Sequence, residues 1–159
     1  MTAVQFTGDF RTVGVVGGGQ PEVAEFDVVL GVLTSIEDGD LVIVDGSNAG
    51  YVKKAADAAS NTARWIGRAR KDSTDTVAAA GTVEVEYHPN GLIVRGNATT
   101  VGSFAQSIID TRVTLDVAAG VQTVDENDTT NGALTIIRYA TVQASDIDVI
   151  VPFNSPYVS

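Results

Sequence analysis

Alternation of apolar and polar positions dominates this chain. In Thr82–His88, Val83, Val85 and Tyr87 fall on one side and Glu84, Glu86 and His88 on the other. That two-residue period is the mark of a strand with one buried face. Pro89-Asn90-Gly91 follows, Pro setting φ and Gly taking a positive one, and Leu92–Arg95 resumes the apolar pattern. The spacing predicts a β-hairpin whose glutamate face is solvated. Ser107–Val117 reads as a further strand, with Val113, Leu115 and Val117 inward and Arg112, Thr114 and Asp116 outward. Val121–Val124 comes after the turn residues Ala118-Ala119-Gly120. Ala133–Val142 puts Leu134, Ile136, Ala140 and Val142 on one face and Ile137 and Tyr139 on the other, and Asp146–Val151 is the last strand.

Leu41–Val44 breaks the alternation. Four apolar residues run together between Gly39 and Asp45-Gly46, which predicts a strand buried on both faces and closed by a tight turn. Asn48-Ala49-Gly50 then turns the chain into Tyr51-Val52. Phe26–Leu33 is a second strongly apolar strand. Residues 50–70 carry two readings. Val52, Ala55, Ala56, Ala59 and Ala63 fit helical spacing, whereas a strand at Gly50–Ala56, a turn at Asp57–Asn61 and a strand at Ala63–Arg70 fit equally well. The turn-rich flanks and the strand-like Trp65-Ile66-Gly67-Arg68-Ala69 favour strands, leaving at most one short helix near 52–63.

The two ends read differently. Residues 1–21 mix Val4, Phe6, Phe10, Val13, Val15 and Val16 with glycines, and Gly17-Gly18-Gly19 before Gln20-Pro21 cannot be a strand interior. An extended arm or edge strand followed by a flexible turn is expected there, and an extended tail over 152–159. The organisation is thus an arm (1–21), a β domain (22–151) and a tail (152–159). Ten or so short strands separated by turn signals predict an all-β fold, a single β-barrel or jelly-roll-like sandwich.

Composition narrows the function classes. The 159 residues suit one domain with a sizeable core. No cysteine is present, so disulfides and thiolate metal sites are excluded, and one histidine excludes a two-imidazole site within one chain. Twenty acidic against ten basic residues give a net charge of −10. Such a chain repels nucleic acid and anionic membranes unless its cations cluster, which they do only at Lys53-Lys54 and over Arg64, Arg68, Arg70 and Lys71. Neither nucleic acid nor membrane is an expected partner. The first ten residues lack the pattern of a signal peptide, and no apolar run approaches the ~20 residues of a membrane span.

Catalytic chemistry is sparse. Val13–Gly19 has the look of a dinucleotide fingerprint, but Glu22 occupies the third glycine position and a strand pattern follows. Asp125, Glu126 and Asp128 offer hard-cation oxygens without EF-hand spacing, and a solvated acidic turn accounts for them. Asp146 and Asp148 share a strand face and could act as paired carboxylates; alternation places them outward beside buried Ile147 and Val149. His88 abuts a turn with no nucleophile motif near it. Ala119-Gly120-Val121, Asp125 and Gly132 resemble the uracil-binding stretch of dUTPases, but the phosphate-binding motif of that family is missing. No enzyme activity and no cofactor are expected.

Gly39-Asp40-Leu41-Val42, then Gly50-Tyr51-Val52, then Trp65-Ile66-Gly67-Arg68-Ala69 resemble the head decoration (cement) proteins of tailed bacteriophages, over about residues 30–70. The resemblance implies a non-enzymatic virion protein made in the host cytoplasm. It implies a homotrimer on the outer capsid surface that stabilises contacts between major capsid protein subunits. Phe6, Phe10, Phe153 and Tyr157 are the candidate partner-binding residues, with Phe10 and Phe153 the leading anchors; the alternative is that both ends close the chain's own sheet. A tail or baseplate module and a carbohydrate-binding β-sandwich stay open, the latter needing an exposed aromatic platform.

Overall fold

The computed structural model describes residues 10–29, 36–100, 105–139 and 146–154. The fold is all-β: β1 (Arg11–Val15), β2 (Glu22–Val28), β3 (Leu41–Val44), β4 (Tyr51–Lys54), β5 (Trp65–Ala69), β6 (Gly81–Tyr87), β7 (Leu92–Asn97), β8 (Arg112–Ala118), β9 (Val121–Asp125), β10 (Leu134–Tyr139) and β11 (Asp146–Val151). The single helical turn among the described residues is a 3-10 turn at Gln106–Ile108. Residues 52–63 form no helix; β4 gives way to turns that end at β5, as the strand reading expects.

The strands build two bodies. β2-β4-β3-β5-β6 close into a barrel, and β1-β7-β11-β10-β8-β9 form a six-stranded sheet. β3 is the shared wall. Val42 and Val44 point into the barrel with Phe26, Val28, Val52, Ile66, Val83 and Val85. Leu41 and Ile43 point the other way and pack, with Trp65 and Ala55, against Val94, Leu134, Ile136, Ile147 and Val149 of the sheet. The unbroken apolar run thus serves two cores at once, one on each face. The sheet curls until Val124 of β9 meets Ala98, just beyond β7, in an isolated parallel bridge.

Several expectations are corrected. Glu84 and Glu86 alternate with buried Val83, Val85 and Tyr87 as expected, but β6 and β7 do not pair. The Gly91 amide donates to the His88 carbonyl at 2.8 Å, so the turn is real. It carries the chain from the barrel, where β6 pairs with β2 and β5, to the sheet, where β7 pairs with β1 and β11. The strand expected from Ser107 starts only at Arg112, because Asp110 takes a left-handed φ of 68°. Of the two readings of the N-terminal stretch, arm or edge strand, residues 11–15 take the second: β1 is an edge strand paired antiparallel with β7, and Gly17, Gly18 and Gly19 all take positive φ in the expected turn after it. β2 begins at Glu22, before the expected Phe26, and the expected extension to Leu33 lies outside the described residues, as do Ala140 and Val142.

Candidate interaction surface

Of the four predicted anchors, Phe6 and Tyr157 lie outside the described residues. Phe10 is only 1% exposed and belongs to the core between barrel and sheet, which removes it as a partner anchor. Its ring fills the space over Gly96, where a built Cβ would sit 2.3 Å from Phe10 Cε1. Its amide donates to the Gly39 carbonyl at 3.1 Å, and its carbonyl accepts from Arg68 Nε at 2.5 Å. Phe153 stacks on Tyr87 with ring centroids 5.3 Å apart, so this end of the tail also docks on its own barrel. Asn154 pins it further, its amide donating to the Trp65 carbonyl and its Nδ2 to the Ala63 carbonyl, each at 3.0 Å. Both described ends therefore lie alongside β5, one at Arg68 and the other at Trp65.

The residues with conceivable chemistry are engaged inside the fold. Asp148 points to the outer face of the sheet as alternation demands, but it is buried rather than open. Arg95 grips it bidentately, Nε to Oδ1 at 2.7 Å and Nη2 to Oδ2 at 3.0 Å. This pair lies in a cross-strand row, Arg11 opposite Arg95, Arg95 opposite Asp148, Asp148 opposite Arg138. The hydrogen bond to Asp148 raises the Arg95 pKa, so the guanidinium stays charged. Glu126 accepts the amides of Thr99 and Thr100 at 3.1 and 3.0 Å. Asp128 accepts the Thr130 amide and the Thr114 hydroxyl, at 3.0 and 2.9 Å, and these hydrogen bonds hold its pKa below the usual carboxylate value. Thr114 is thereby buried, against the outward exposure expected for it. His88 Nδ1 accepts the Asn90 amide at 3.1 Å as part of its turn. Trp65 is fully buried, with Nε1 donating to the Ser60 carbonyl at 3.0 Å.

A different feature stands open. A cleft of about 480 Å³ is lined by Ile43, Val44, Asp45, Gly46, Ala49, Lys53, Thr62, Ala63 and Arg64. The Asp45 carboxylate is committed to the β3–β4 turn, accepting the Ser47 amide at 2.9 Å and Asn48 Nδ2 at 3.0 Å. Ile43 pairs with Lys53 of β4, and the Val44 amide donates to the Arg64 carbonyl at 2.9 Å, so Lys53 and Arg64 reach the cleft from the two sides of β3. Neither cation enters an ion pair among the described residues.

Two buried polar features were not legible in the sequence. Lys54 Nζ lies 3.1 Å from Asp40 Oδ2 and also donates to the Gly120 carbonyl. Burial pushes the Asp40 pKa up against the opposing pull of the Glu37 amide and Lys54. Gln122 is buried and bonds the backbone of Leu41 and Ala55. Glycine and apolar spacing mark neither, because the partners are far apart in sequence. No known protein family, curated protein or solved structure matches this chain.

Proposed function

We propose that this chain is a non-catalytic structural protein of a tailed-phage virion, a homotrimer that sits on the outer capsid surface and stabilises contacts between major capsid subunits. The observation that carries the reading is the placement of the two ends. Phe10 and Asn154 are both tied to β5, Phe10 through the Arg68 side chain and Asn154 through the Trp65 carbonyl. A closed β scaffold with both described ends tied to one strand suits a protein that grips a neighbour rather than one that encloses a substrate. The net charge of −10 agrees with a place outside a shell filled with nucleic acid. The family resemblance of residues 30–70 supports the capsid setting. A carbohydrate-binding role is disfavoured by the burial of Trp65, which removes it as a sugar platform.

The test is imaging of undecorated phage particles incubated with the purified protein. Density at fixed positions on the outer shell, lost on deletion of residues 1–9 and reduced by Tyr157→Ala, is the expected result. Bare particles at saturating protein would overturn the reading. Light scattering near 16.5 kDa, the mass of one chain, would overturn the trimer.

A further inference from the structure

We propose that the cleft between the β3–β4 turn and residues 62–64 receives an extended acidic segment of the partner protein, its carboxylates held by Lys53 and Arg64. The inference rests on the proposed docking function and names the chemistry of the docking site. The chain has twice as many acidic as basic residues, 20 against 10, so a cation has abundant carboxylates to pair with. Lys54, Arg68, Arg70, Lys71, Arg95 and Arg138 each lie within 4.0 Å of one. Among the described residues Lys53, Arg64 and Arg112 do not, and the first two line the same cleft. Ile43, Val44, Ala49 and Ala63 line the same cleft, so it offers apolar surface together with two cations. Lys53 and Arg64 lie two strand spacings apart, roughly 10 Å. An extended chain covers that distance in about three residues. A segment with an apolar residue between two acidic ones therefore matches both the charge and the apolar surface. The carbonyl of Ala63, in the cleft wall, also accepts from Asn154 Nδ2 at 3.0 Å, so the last described residue of the C-terminal end borders the cleft.

The probe is a blocked hexapeptide alternating Glu and Val, titrated into the full-length protein and followed by amide NMR shifts at Gly46, Ala49 and Ala63. Saturable shifts are expected, with affinity at least tenfold weaker for Lys53→Glu/Arg64→Glu and no shifts from the matching Lys/Val peptide. Lys53→Gln/Arg64→Gln provides a second, milder variant, and buried Trp65 fluorescence confirms that each variant is folded. Equal shifts in wild type and variants, or equal shifts from free acetate, would overturn the segment-binding site. Particle imaging separates this from the function proposed above. Full decoration by the double Glu variant overturns the cleft and leaves the virion role standing. Peptide binding without any decoration of particles by the wild type overturns the virion role.

Discussion

Gln122 and Leu41 exchange two hydrogen bonds, Leu41 N to Gln122 Oε1 at 2.7 Å and Gln122 Nε2 to Leu41 O at 3.1 Å. The side-chain amide thus pairs with the β3 backbone as another strand would. Its Nε2 also donates to the Ala55 carbonyl at 3.0 Å, so one side chain on β9 fastens the sheet to the barrel. Gln122→Leu removes the partner of the Leu41 amide and of the Ala55 carbonyl, while the Leu41 carbonyl keeps the Ala55 amide at 2.9 Å. A loss of about 3 kcal/mol is expected from such orphaned groups. For a chain of this size that corresponds to a fall of roughly 6–12 °C in Tm. Gln122→Glu should lose more, since it removes the donor and buries a charge; calorimetry of both variants checks the order.

Phe10 and Gly96 occupy one volume. Gly96→Ala forces the new Cβ against the Phe10 ring, which should destabilise by roughly 1–3 kcal/mol. Phe10→Ala should cost about 3–5 kcal/mol by opening a cavity. Phe10→Leu is expected to rescue Gly96→Ala in part, so that the double variant is more stable than the two single losses added. Urea titration of the three variants measures this. A Phe10→Ala protein of wild-type stability would return Phe10 to the role of a free anchor.

Arg95 and Asp148 form a partly buried pair in which removal of one partner strands the other. Arg95→Met should cost roughly 3 kcal/mol by leaving Asp148 buried and unmatched. Arg138, 4.0 Å away and largely exposed, compensates only weakly. Arg95→Met/Asp148→Leu should recover most of the loss, because an apolar pair needs no counter-charge. Denaturation midpoints of the single and double variants decide the point.

Asp116 makes stability depend on pH in a definite direction. Its folded-state pKa is raised, first by burial and then by the hydrogen bond and charge of Asp57, with the charge of Asp125 adding to them. The Asp57 carboxylate is held in place by the Val117 amide at 3.0 Å. A raised acid pKa means that the folded state binds the proton more tightly than the unfolded chain does. The ionised group therefore costs stability above its folded pKa, and the cost disappears as pH falls below the ordinary value of 3.8. Asp116→Asn should raise the urea midpoint at pH 7 and leave it close to wild type at pH 3. A lower midpoint at pH 7 would show that the ionised carboxylate stabilises the fold.

Elements with a complete local signal were legible in the chain itself. Leu41–Val44 and Asp146–Val151 begin and end where the apolar pattern says, because turn residues or polar neighbours bound each run. The turn before Val121 is equally plain: Ala119 and Gly120 both take positive φ, at 51° and 79°, as a two-residue hairpin requires. Pro89-Asn90-Gly91 announced a reversal just as clearly, yet a turn signal does not say which strand the returning segment will join. β7 finds β1 and β11, whose distant positions carry no local mark. The same limit hid Asp148 and Gln122, polar residues whose burial is licensed by partners far along the chain. Lys53 and Arg64 belong to separate basic clusters in the sequence, and only the fold brings them to one cleft, where neither has an ion pair among the described residues.

The sheet recruits β1 from before the barrel and β7 to β11 from after it. On the ribosome, where roughly 5–20 residues are added per second, residues 11–15 wait some 4–16 s for the strand they pair with. Meanwhile the five barrel strands, consecutive in sequence, can close without waiting for anything downstream of β6. The nascent chain thus carries a lone strand tethered to a finished barrel. Gly17, Gly18 and Gly19 give that tether its slack, and keep the waiting strand too short to template pairing with a neighbouring chain.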